Sequence, residues 1–136
     1  PVRVVRQPSL NTRRVTTAAD MGALMLTLHS AGHGDAAALA ATRMTTAQAR
    51  FALGTLLNSD PRGDNAGVVR QAFGTRVPIA QKNGWISSAQ HTAAIVYSRR
   101  GPMVIVVLTS GRGMTRARAA TLGTSVVRAV SAALSR

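Results

Sequence analysis

The run Met103-Val104-Ile105-Val106-Val107-Leu108 constrains this chain more than any other segment. It is strand-sized, rich in β-branched residues and apolar at every position. That pattern predicts a strand buried on both faces rather than one alternating between core and water. It is far shorter than the ~20 apolar residues a membrane-spanning helix requires. Arg99-Arg100-Gly101-Pro102 reads as a turn before it, and His91 to Ser98 reads as the strand before that turn. Adjacent strands joined by a short turn form a hairpin, so the sheet is antiparallel here. Val77 to Ile86 supplies a further strand, interrupted by polar residues.

The rest of the chain reads as helix. Thr17 and Asp20 form a capping-box pattern ahead of Met21, Leu24, Met25 and Leu28, which predicts a helix over Ala18 to Ser30, stopped by Gly32 and Gly34. Asp35 to Arg43 is Ala-rich and short. Thr45 and Gln48 repeat the capping pattern before Phe51, Leu53, Leu56 and Leu57. Asn58 to Gly63 has turn composition, and Asp64 is placed to cap a short helix through Val68, Val69 and Phe73. The chain closes with a helix from about Thr115 to Leu134. Its stripe of Ala119, Leu122, Val126, Ala129, Val130 and Ala133 is expected to pack on the sheet. The fold class is therefore α/β (α+β): residues 1–75 a helical segment, residues 76–136 three antiparallel strands and a helix. One helix covers only one face of so apolar a sheet, so something else is expected over the other, which hints at structure missing from this chain.

Composition narrows the function classes. The 136 residues carry 46 % hydrophobic residues, enough for one globular domain. Cysteine is absent, which excludes disulfides, thiolate metal sites and a cysteine nucleophile. Net charge is +13, almost all from arginine; Lys82 is the only lysine and there is no glutamate. The arginines are scattered and aromatics are few, so a solvated basic surface fits better than a nucleic-acid-binding module. The first ten residues contain no apolar signal core, and residue 1 is Pro, so an internal start within a longer product is expected.

Gln81-Lys82-Asn83-Gly84-Trp85-Ile86, then Ala93 to Tyr97, then Gly101 to Thr109 resemble the last three strands of class A β-lactamases and related actinobacterial serine hydrolases, a β-lactamase/transpeptidase-like fold. In that family the first of these strands carries Lys-Thr-Gly. Thr16-Thr17-Ala18-Ala19-Asp20-Met21 is similar to the family's Thr-Thr helix start, and Arg6-Gln7-Pro8-Ser9-Leu10-Asn11 to its Glu-Pro-Glu-Leu-Asn loop. The resemblance covers nearly the whole chain but only the second half of the family's domain.

The resemblance implies a substrate site at Lys82, Asn83, Gly84, Trp85 and His91. A strand lysine supplies positive potential for a substrate carboxylate, a small polar neighbour hydrogen-bonds it, and glycine lets the substrate lie along the strand. Asn83 replaces the family's Thr, and Asn-Gly is also a hairpin-turn signal. Trp85 fits either the groove or the core. His91 fits a carboxylate contact or a structural role, while His29 and His33 suit a helix end. Gln7 stands where the family has the glutamate that activates the deacylating water, and glutamine has no useful basicity.

The family's nucleophile lies in Ser-x-x-Lys, but Ile79 precedes the only lysine by three residues, and Ser-Asp-Asn is absent too. No catalytic residue, metal site or cofactor is expected in this chain. The implied function is the C-terminal portion of an extracytoplasmic hydrolase, secreted or in the cell envelope, that recognises a β-lactam or cell-wall peptide. The alternative is a non-catalytic relative that binds a partner chain or a second copy to complete its sheet.

Overall fold

The computed structural model describes residues 16–60, 66–74, 76–86 and 89–134. Its elements are α1 (Ala18–Gly32), α2 (Ala36–Thr42), α3 (Thr46–Leu57), α4 (Gly67–Phe73), β1 (Ile79–Ile86), β2 (Ala89–Ser98), β3 (Gly101–Ser110) and α5 (Arg116–Leu134). The mixed α/β class expected from the pattern is the one observed. The strands form one antiparallel sheet in the order β1-β2-β3. Ser98 pairs with Gly101 around Arg99 and Arg100, and the β2–β3 register runs unbroken to Ala89 with Ser110.

Two helical layers enclose the sheet. On one face, Val68 and Val69 of α4 and Val127 of α5 pack on Ile79, Ala94 and Val96, with Met103, Ile105 and Val107 beside them. On the other, Met25 of α1 and Leu53 of α3 pack on Ala80, Ala93 and Ile95, with Val104 and Val106. Period-two alternation along each strand divides the side chains between these cores. Ala31, Ala38 and Ala49 join α1, α2 and α3 in a third cluster. The second layer over the sheet thus comes from α1 and α3, within the chain itself, which corrects the expectation of missing structure over that face.

The helix starts follow from their caps. Thr17 Oγ1 accepts from the Asp20 N–H at 3.1 Å while the Thr17 N–H donates to Asp20 Oδ2 at 3.2 Å. Thr45 and Gln48 make the same reciprocal pair. Asp35 caps α2 through the Ala38 N–H at 2.8 Å. The expected Asp64 cap lies outside the described residues; α4 follows Ala66, whose side chain makes no capping bond.

Two expectations are corrected. The apolar run Met103–Leu108 is not the deeply buried strand: β3 is half-buried at the sheet edge, and central β2 is the buried one. A run apolar at every position needs cover on both faces, and edge strands with helices on each side receive that cover only in part. The packing face of α5 also differs. Ala119, Gly123 and Val127 face inward, whereas Leu122, Val126 and Val130 are 52 %, 47 % and 42 % exposed. The reason is close approach: a Cβ on Gly123 would sit 2.8 Å from Val68 Cγ1, so only the small-residue ridge fits against α4. Among the described residues no helix is long and apolar enough to cross a membrane.

Candidate functional site

The Tyr97 N–H donates to the Pro78 carbonyl at 3.0 Å, which sets the hydrogen-bonding phase of the β1–β2 ladder. Alternation from that bond directs the backbone of Lys82 and Gly84 toward β2, and that of Asn83 and Trp85 off the outer edge of the sheet. Ile79 shares the outward phase, and its carbonyl accepts from Arg70 Nη2 at 2.8 Å. The Lys82 ammonium folds back onto the carbonyl of Asn83. The cation and the outward backbone groups therefore meet at one stretch of edge.

Side-chain alternation splits the expected residues between the two faces. Lys82 lies on the α1–α3 face, exposed, at a cleft of about 650 Å³ that Met21, Leu24, Met25 and Leu56 also line. Gly84 and His91 are directly paired on that same face. A Cβ on Gly84 would meet open space, so the surface beside His91 is unobstructed. His91 Nδ1 is buried and has no hydrogen-bond partner among the described residues. Lys82, Gly84 and His91 thus share one face of the sheet, with the exposed cation of Lys82 at one end.

Asn83 and Trp85 face the α4–α5 layer. Asn83 Oδ1 accepts from Thr92 Oγ1 at 2.8 Å, and Thr92 Oγ1 accepts from the Val68 N–H at 3.3 Å. The first residue of α4 presses against these hydrogen bonds: Gly67 has φ +56°, and a Cβ there would lie 2.3 Å from Asn83 Oδ1. Trp85 is 51 % exposed, with the Arg116 guanidinium 5.1 Å from its ring centroid. Gln7 lies outside the described residues.

Elsewhere, the last turn of α1 holds His29 beside His33, with ring centroids 4.3 Å apart. His33 Nδ1 lies 2.9 Å from the His29 carbonyl. Burial, and secondarily the neighbouring His33, lower the pKa of His29 below its usual 6.5, and burial raises that of Tyr97. A neutral His29 contributes little to the helix dipole, which weakens that reading of it.

Thr92, Gly67 and Arg116 are site residues that the sequence reading missed. Thr92 was within reach, since extending the hairpin register places it opposite Asn83. Gly67 and Arg116 arrive from separate helices and have no local signature.

An antiparallel sheet between helical layers, presenting a lysine and outward backbone groups on its edge, is a surface suited to an extended anionic ligand. The chain belongs to the Beta-lactamase enzyme family, whose profile matches residues 3–135. No curated protein matches it.

Proposed function

We propose that this chain is the substrate-recognising, C-terminal portion of a β-lactamase-like serine hydrolase and that it carries no nucleophile. The observation that carries this reading is the outer edge of β1, where the Lys82 ammonium sits on the Asn83 carbonyl next to the outward backbone of Trp85. A ligand carboxylate placed there meets a fixed positive charge, and its amide groups add to the strand edge as a further strand would. The open surface at Gly84 admits the ligand's body alongside His91, its partner across the β1–β2 register. β-Lactams and cell-wall peptides have this chemistry, and family membership supports work outside the cytoplasm. Bond cleavage requires a nucleophile from another segment, because Ile79 stands three residues before the only lysine. Gln7, at the position of the family's general base, would orient water without deprotonating it.

The engagement of Asn83 Oδ1 by Thr92 favours a second reading, a non-catalytic relative in which Asn83 braces α4 and makes no ligand contact.

A fluorescent penicillin tests both. Expected are no covalent labelling of this chain and reversible binding, reported by the single tryptophan, Trp85, and lost in Lys82→Ala. Covalent labelling would refute the absence of a nucleophile. Binding indifferent to Lys82→Ala would refute the recognition edge, and unchanged binding in Asn83→Ala would support the bracing role.

A further inference from the structure

The last turn of α1 gathers chemistry that the recognition edge does not use. His29 and His33 are four residues apart, the spacing that puts two side chains on one face of a helix. Their ring centroids lie 4.3 Å apart, and the rings are tilted by 51° rather than stacked flat. The backbone beneath them is held. The His33 N–H donates to the carbonyls of His29 and Ser30, and Arg50 of α3 donates to the Gly32 carbonyl at 2.8 Å.

Two contacts decide which ring nitrogens can serve as ligands. A carbonyl only accepts, so His33 Nδ1 donates its hydrogen to the His29 carbonyl at 2.9 Å. The lone pair of the neutral ring is then on Nε2. His29 Nδ1 lies 3.5 Å from the hydroxyl of Tyr97 on β2. A tyrosine oxygen accepts as well as donates, so His29 can likewise carry its hydrogen on Nδ1 and its lone pair on Nε2. Metal-bound histidines use this arrangement: one nitrogen coordinates while the other donates to an oxygen that fixes the ring. Two Nε2 ligands on one tetrahedral ion stand roughly 3.3 Å apart. Rings with centroids 4.3 Å apart can span that distance.

The donor set selects the ion. Among the described residues no group of three or more His, Cys, Asp or Glu is gathered in one place, so two imidazoles are the side-chain ligands. Imidazole without carboxylate suits Zn²⁺, Ni²⁺ or Cu²⁺ and not Mg²⁺ or Ca²⁺. We propose that His29 and His33 bind a divalent transition-metal ion through their Nε2 atoms, with Tyr97 as a positioning residue behind His29. Water completes the coordination. The bound ion cross-links the last turn of α1, and Tyr97 ties that turn to β2. None of the three residues belongs to the proposed recognition edge.

The test titrates Zn²⁺ into the full chain, without a histidine tag, by calorimetry and by NMR of the imidazole rings. Expected are one Zn²⁺ per chain, a higher melting temperature with zinc present, shifted ring signals for His29 and His33, and no binding of Mg²⁺. His33→Gln, at an exposed position that leaves the core intact, should abolish the binding. His91→Gln and Lys82→Ala should leave it unchanged. Tyr97→Phe should weaken affinity by about tenfold at the same stoichiometry and move the His29 Nδ1 signal of the zinc-bound chain. The site is overturned if Zn²⁺ does not bind, if binding survives His33→Gln, or if His91→Gln removes it equally. Unchanged affinity and an unmoved His29 signal in Tyr97→Phe would overturn the positioning role.

Discussion

Gly67→Ala should be among the most damaging single substitutions in this domain, and its cost can be worked from the structure. Gly67 has φ +56°, a conformation that costs an alanine roughly 1–2 kcal/mol. The new Cβ would lie 2.3 Å from Asn83 Oδ1 and 2.9 Å from Thr92 Oγ1, so the brace between β1 and β2 must move. Overpacking of this kind costs about 1–3 kcal/mol, and losing the Thr92–Asn83 hydrogen bond about 1 kcal/mol more. Reduced freedom of the unfolded chain returns roughly 0.5 kcal/mol. The balance is about 4 kcal/mol of destabilisation, a large share of the roughly 5–15 kcal/mol that holds a domain together. Urea denaturation followed by circular dichroism measures it, and the melting temperature should fall by roughly 10–15 °C. In an Asn83→Ala background the oxygen that clashes is gone, so the cost should shrink by about 2 kcal/mol. A loss below about 1 kcal/mol, or no coupling to Asn83, would refute the account of how α4 docks on the sheet.

Gly84→Ala should behave oppositely: its Cβ meets open space, so stability should hold or rise by about 0.5 kcal/mol while penicillin binding falls, read by denaturation and Trp85 fluorescence. Leu122→Ser should change stability by no more than about 0.5 kcal/mol because the side chain is exposed. Val127→Ala, with its side chain fully buried, should cost about 2 kcal/mol in the same urea titration. His29 has a folded-state pKa below 6.5, so the unfolded chain binds the extra proton first as pH falls. Its contribution is complete above pH 6.5 and is lost on acidification toward the lowered folded value; His29→Gln should flatten the stability profile in that window.

The strand phase, the helix caps and the Lys82-Asn83-Gly84-Trp85 segment were legible because each depends on neighbours close in the chain. A threonine and the residue three places on suffice for a capping box, and three successive apolar stretches with a two-residue turn suffice for an antiparallel sheet. Period two also implies that Lys82 and Asn83 occupy opposite faces. What that separation means for the site came only with the helices: Gly67 pins Asn83 to the α4 side, and the cleft lined by Met25 and Leu56 receives Lys82 on the other.

Hydrophobicity misjudged burial at two places for one physical reason. It measures the cost of leaving a side chain in water, whereas packing depends on how closely two backbones approach. On α5 the small ridge of Ala119 and Gly123 won the contact with Val68 and left Leu122 and Val126 outside. In β3 the apolar run became an edge, because the meander order β1-β2-β3 puts the last strand outermost among the described residues, where helices cover it only in part. The sequence alone determined which segments become strands and helices, and that Lys82 and Asn83 lie on opposite faces of one strand. The tertiary structure decided which apolar surfaces are covered: the close approach of α4 and α5 left Leu122 and Val126 exposed, and β3 stayed half-buried.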